Sequence, residues 1–306
     1  MAHRSPLDAL NIVLSSVDAV RNLRALYVLL LTFSVAGLLT AMAENALAQG
    51  SMQVGALEAA AALFAAFYGG NAAGILVMDD ARGAPVRDIV EALRASLFTA
   101  HRLILALVLM LAGYALFGAV LFGLLWLCRA SVTGPVIGPM LFGAVVPLGV
   151  VGVGVALLSL VAVVVPLAAP AIWSGEPVLP AVRQLFLWVR QRLLTVALLM
   201  SAVSLLTGAV GALVTFAVMM GGRVIAVMGV TVVGVDVPAQ QLMAGLFGYG
   251  LRSLGAAGAP TGSTGHAAAA LVGGGMVFAL ALVLPGLVYL RGTCSVYLAM
   301  RNSSVN

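Results

Sequence analysis

The sequence predicts an all-α, polytopic membrane helical bundle: six transmembrane helices as three hairpins, each preceded by a Pro-initiated amphipathic interfacial helix. Three observations lead there. Hydrophobic residues make up 63% of the 306-residue chain and charged residues only 8%, against roughly 25% charged in soluble domains. Apolar runs long enough to cross a bilayer recur along the chain, a spanning helix needing about 20 such residues. Before three of these runs stands a segment that opens with Pro, shows helical apolar spacing and leads to an Arg.

The first such segment lies at the N-terminus. Ser5 caps, Pro6 opens the helix and Asp8 takes the acidic position of a capping box. Leu7, Leu10, Leu14 and Val17 form one face; Asp8, Asn11, Ser15 and Asp18 form the other. Two spans follow, Ala25–Ala43 and Gly55–Met78, closing a hairpin unit over 5–78. Ala41-Met42-Ala43 has the look of a signal-peptidase site, but the run is expected to be retained as a span.

The second segment follows Asp79-Asp80 and begins at Gly83-Ala84-Pro85-Val86. Its apolar face is Val86, Ile89, Val90, Leu93 and Leu97, with Arg87, Asp88, Glu91 and Arg94 opposite, and Arg87 one turn from Glu91. Arg102 then leads into spans Leu103–Leu127 and Met140–Val165, a unit over 84–170. The third begins at Gly175-Glu176-Pro177-Val178, with Gly, Pro and Val in register with the second. Val178, Val182, Leu185 and Val189 give its apolar face, Arg183 and Arg190 its polar one. Arg192 precedes span Leu193–Met220, and Ala267–Leu290 completes a unit over 176–300.

Between those last two spans lies an outer-face segment, 221–266. Val224–Val235 is apolar and β-branched but bracketed by Arg223 and Asp236, too short to span, and reads as re-entrant or interfacial. Leu242, Met243, Leu246, Phe247, Leu251 and Leu254 form an amphipathic face on the outer surface, and Gly255–Gly265 a loop.

Arginine placement sets orientation. All 15 basic residues are Arg; twelve lie at the N-terminus, between spans two and three, between four and five, or after six, and only Arg129, Arg223 and Arg252 lie opposite. The bias predicts a bacterial inner membrane protein with both termini cytoplasmic. Acids divide seven inside and three outside, which puts the whole +5 charge on that face. Anionic lipid headgroups are therefore expected partners there, with Arg24, Arg102 and Arg192 as headgroup contacts. The basic pI near 9.8 comes without an aromatic-interleaved basic patch, so no nucleic-acid partner is expected.

Small residues mark helix packing. Ala62, Ala66, Gly70 and Gly74 recur every four positions, a stripe that admits a neighbouring helix. Ser201, Ser204, Gly208, Gly211 and Thr215 follow a heptad-like seam in the fifth span. Pro147 and Pro285 are expected to kink their helices.

Chemistry is sparse. The central parts of the spans carry no ionisable residue; Glu58 lies near the outer end of the second, and Asp79 and Asp80 at its inner exit, within reach of headgroups and water. Asn71, in Tyr68-Gly69-Gly70-Asn71, is the best intramembrane polar candidate: it either lines a polar cavity or donates a hydrogen bond between helices, the latter being the simpler reading. His3, His101 and His266 are scattered, and Cys128 and Cys294 fall on opposite faces without a metal-binding pattern. Gly262-Ser263-Thr264-Gly265 lacks the spacing of a nucleophile elbow. No catalytic residue, metal or cofactor is expected, and the chain is not read as an enzyme.

The run Val165-Pro166-Leu167 through Ser174-Gly175-Glu176-Pro177, then Ala181-Val182-Arg183 and Arg190-Gln191-Arg192-Leu193, resembles bacterial six-span inner-membrane proteins of the glycerophosphodiesterase membrane-domain type. The resemblance covers the elbow-plus-span units, about half the chain. It implies a membrane-embedded helical body; with no phosphodiesterase sequence among these residues, it implies no reaction. Two functions fit the whole reading: a scaffold, assembly factor or accessory subunit that meets another membrane protein or itself, or a transporter, channel or lipid-handling protein without carboxylate-based ion coupling.

Overall fold

The computed structural model describes residues 14–228, 231–232 and 264–305, and every regular element among them is helical. A 3-10 helix, Ser15–Arg21, leads into α1 (Leu23–Ala48), α2 (Met52–Ala81) and α3 (Ile89–Leu127). Then come α4 (Ala130–Ser159), a π-helical turn (Leu160–Val164), α5 (Val165–Trp173), α6 (Val178–Gln191), α7 (Leu193–Met228) and α8 (Thr264–Val305). Six segments are long and apolar enough to cross a membrane: Leu23–Ala48, Met52–Ala81, Ile89–Leu127, Val136–Trp173, Leu193–Ile225 and Ala281–Ser303. The chain is an all-α polytopic membrane bundle.

Residues 1–13, with Pro6 and half of the first amphipathic face, lie outside the described residues, as do 233–263, with most of the expected re-entrant and outer-surface segment. The apolar stretch from Val224 begins as the last turn of α7.

Two compact units divide the chain: Met1–Leu97 with Val203–Gly292, and Phe98–Ala202 with Thr293–Asn306. In the first, α1 and α2 form a hairpin turned at Gly50, where φ is +80°. Its closest approach falls on Gly55, Ala62 and Gly69. A Cβ on Gly55 would stand 2.6 Å from Leu47 Cγ, one on Gly69 would overlap the Thr32 side chain, and Ala62 is buried. Seven-residue spacing keeps one face of an α-helix against its neighbour. Beyond Gly69 the helix is enclosed, with Asn71 through Asp79 all buried.

The start of α3 reverses the usual sense of an amphipathic helix. Val90, Leu93 and Leu97 are exposed, whereas the small Ala92 and Ser96 are buried. Lipid solvates large apolar side chains as well as a protein interior does, so small residues take the packed face. Ser96 Oγ donates to the Tyr68 carbonyl at 2.7 Å, fastening α3 to α2.

In the second unit the backbone between Ala130 and Trp173 leaves α-geometry at two places, and Pro147 is neither. One is Gly134, at φ +87° and ψ 171°; it precedes Pro135, which excludes the α region from the residue before it, and glycine tolerates the positive φ. The other is the π turn, where Val165 N–H reaches back to the Leu160 carbonyl. Pro166 follows at once, and a ring without an N–H cannot continue the ordinary ladder. Pro285, in turn, lies within α8 without ending it. Tyr114 and Ser159 share a hydrogen bond of 2.6 Å between α3 and α4, and α6 buries Ala181, Leu185 and Trp188.

Candidate functional site

The ion pairs Arg87–Asp79, Arg291–Asp80 and Arg301–Glu176 lie where the spanning helices meet the elbows. The first elbow begins as α2 ends. Gly83 N–H bonds the Asp80 carbonyl at 3.0 Å and Ala84 N–H the Asp79 carbonyl at 3.0 Å, the paired bonds of a Schellman stop, with Gly83 at φ +68°. The chain then runs extended past Pro85, and α3 begins only at Ile89. Arg87 therefore lies outside the helix. Its side chain turns back to Asp79, Nε to Oδ2 3.1 Å, and not to Glu91.

That pairing changes the place of the two aspartates. Asp79, expected at a wet helix exit, keeps only 6% of its side chain exposed. Asp80 accepts from Arg291 Nη1 at 2.6 Å. Arg24, in the first turn of α1, donates through Nη1 to the Val86 and Arg87 carbonyls at 2.6 and 2.9 Å. Asn22 caps α1 by accepting from Ala25 N–H at 3.1 Å, and its Nδ2 donates to the Leu76 carbonyl at 3.4 Å.

These groups border an open cleft of about 480 Å³. Asp18, Arg21, Asn22, Arg24, Asp80 and Arg291 supply its polar lining, Leu23 and Val86 its apolar rim. Of this set the sequence marked Arg24 as a headgroup contact and Asp80 as lying at a wet helix exit. Asp80 and Arg291 are separated by 211 residues, and no local pattern announces such a pair.

The second elbow shares the positive-φ glycine and its bond three residues back, with different fastening. Ser174 N–H bonds the Pro170 carbonyl at 2.9 Å and Gly175 N–H the Ile172 carbonyl at 2.9 Å, with Gly175 at φ +85°. Tyr297 is fully buried. Ser174 Oγ donates to its hydroxyl at 3.3 Å, and that hydroxyl donates to Gln184 Oε1 at 3.4 Å. Its ring meets Trp188 edge-on at 5.6 Å. Arg301 Nε stands 3.4 Å from Glu176, and Arg192 holds Ser303 through its hydroxyl and its carbonyl, the latter at 3.1 Å.

The other singled-out residues are distributed as follows. Asn71 is buried, and its amide donates to the Phe67 carbonyl one turn back in its own helix at 2.9 Å. In the four-residue stripe, Ala62 and Gly74 are buried, Ala66 is exposed, and a Cβ on Gly70 would meet nothing within 4 Å. In the fifth span Ser201, Ser204, Gly208 and Thr215 are exposed, while a Cβ on Gly211 would touch Pro285 at 3.7 Å. The residues of α7 that bury themselves are Val196, Met200 and Val203. Val203 lies against Gly292, where any side chain would overlap it. Arg102 is exposed. Both cysteines are free, and no group of His, Cys, Asp and Glu that could hold a metal occurs among the described residues.

Fold and polar clusters together define an integral membrane protein of all-α class. Compared with protein-family models, curated proteins and solved structures, the chain matches none of them.

Proposed function

We propose that this chain is a non-enzymatic scaffold or accessory subunit of a bacterial inner-membrane complex. One observation carries the reading: four buried hydroxyl and amide groups of the spanning helices are bonded to carbonyls of the chain itself. Thr32 donates to Val28, Asn71 to Phe67, Ser96 to Tyr68 and Ser159 to Ala156. A transported solute needs polar groups facing its path; a structural subunit needs them turned inward. The matched elbows at Gly83 and Gly175 support an internal repeat, in keeping with the resemblance to the glycerophosphodiesterase-type membrane domain. Arginine asymmetry supports cytoplasmic termini. The partner is another membrane protein or a second copy, with anionic lipid around the elbows.

Native mass spectrometry after extraction in mild detergent tests this. Recovery in fixed stoichiometry with a second membrane protein is the expected result; a lone monomer at every detergent and salt condition overturns it.

A lipid-handling role is the second reading, favoured by the arginine-lined cleft. Reconstituted chain should then accelerate lipid exchange between leaflets. If Asn71→Leu leaves that rate unchanged, Asn71 takes no part in it.

A further inference from the structure

We infer that the cleft at the first elbow binds the phosphodiester headgroup of an anionic glycerophospholipid. The argument begins with charge. Arg21, Arg24 and Arg291 against Asp18 and Asp80 leave the lining with three positive and two negative groups, a net of +1, which matches a phosphodiester monoanion.

Donor accounting points the same way. A guanidinium carries five N–H donors. Arg24 commits Nη1 to two carbonyls and makes no ion pair among the described residues. Its Nε and Nη2 donors remain, on a side chain held in place by those carbonyls. Arg291 gives Nη1 to Asp80, while its Nε is buried without a hydrogen-bond partner. Arg21 is exposed and bonds no carboxylate among the described residues. Anchored guanidiniums with spare donors are suited to phosphate oxygens, which accept forked pairs of N–H bonds.

The backbone adds to this. Asn22 and Leu23 bring the N-terminus of the 26-residue α1 to the cleft, and the positive end of that helix favours an anion. Because α1 starts and α2 ends here, the cleft lies at the end of two spanning helices, the depth at which headgroups sit. Leu23, 72% exposed, and Val86 form a rim that glycerol and the first acyl carbons would cover. A free phosphate ester shares the charge chemistry but has no use for that rim. The volume, about 480 Å³, falls within the roughly 300–1,000 Å³ of small-ligand sites.

The inference stands apart from the subunit reading, because it is tested on the purified full-length chain without a partner. Delipidated protein in neutral detergent is titrated with phosphatidylglycerol or phosphatidylcholine of equal chain length, and bound lipid is counted by native mass spectrometry. Phosphatidylglycerol should bind about tenfold more tightly. Arg24→Gln should remove most of that preference. Since Arg24 also ties the elbow together, Arg21→Gln, which breaks no bond seen here, serves as the second variant and should weaken phosphatidylglycerol about threefold. Arg183→Gln, on the exposed face of α6, should change nothing. Glycerol phosphate is the competing arm: failure to displace the lipid at millimolar concentration supports the headgroup, whereas full displacement overturns it in favour of a soluble phosphate ester. Equal binding of the two lipids, or equal effects of Arg21→Gln and Arg183→Gln, overturns the site itself.

Discussion

The two elbows turn the backbone alike and secure it differently. At each, a helix stops, glycine takes a positive φ, and proline follows two residues on. The first is then held by ions: Asp79 with Arg87, Asp80 with Arg291, Arg24 with two carbonyls. The second is held by a buried aromatic cluster, Tyr297 with Ser174, Gln184 and Trp188, with ion pairing confined to the partly exposed Arg301–Glu176 contact. The connector also differs. Three non-helical residues, Val86, Arg87 and Asp88, separate Pro85 from Ile89, whereas Pro177 directly caps Val178. The backbone turn is thus a requirement of the chain path. Its side-chain fastening is free to vary, and at the ionic elbow a charged cleft is left open.

Substitutions can break or sharpen this comparison. The largest effect is expected beneath the first elbow, in the hairpin that carries it. Gly69→Leu drives a side chain into Thr32 and should cost about 3 kcal/mol, read as a lowered melting midpoint in detergent. Gly70→Leu, where a Cβ meets nothing, should stay within about 0.5 kcal/mol. Equal losses for the two would mean that the seam lies elsewhere.

Next come the turns themselves. Gly83→Ala and Gly175→Ala each force an L-residue into positive φ and should each cost about 1–2 kcal/mol. Denaturation of the two variants side by side measures whether the elbows are equivalent; a gap larger than about 1 kcal/mol would separate them. Tyr297→Phe removes the hydroxyl that joins Ser174 and Gln184 and should lose about 1 kcal/mol at the second elbow. Smallest is Arg301→Gln. Its side chain is 40% exposed, and a solvent-screened pair should contribute less than about 0.5 kcal/mol, visible only as a shift that disappears with added salt.

Much of the fold was legible. Five expected spans, Ala25–Ala43, Gly55–Met78, Leu103–Leu127, Met140–Val165 and Leu193–Met220, lie whole within spanning segments, and Ala267–Leu290 overlaps Ala281–Ser303 in part. Gly83 and Gly175 could be matched before their dihedrals were known, because Gly followed two residues later by Pro is a helix stop written in backbone chemistry. The cleft was legible at Arg24 and, as a wet helix exit, at Asp80. Arg291 finds Asp80 across 211 residues of sequence, and the Arg87–Asp79 pair depends on α3 starting at Ile89 instead of Pro85. The hairpin seam was misplaced for a related reason. Small residues occur at both four- and seven-residue spacing in α2, and composition does not choose between Gly70 and Gly69.

By itself the sequence determined the solvent, the number of crossings and the stopping points of helices. Those properties are sums over many residues or consequences of local backbone chemistry, so no distant contact can reverse them. Only the tertiary structure decided which helix face turns inward and which charges find one another. In lipid a leucine gains little by burial against protein, so hydrophobicity does not orient a spanning helix. Steric fit and the pairing of a few polar groups do, and both depend on residues that the chain order keeps far apart.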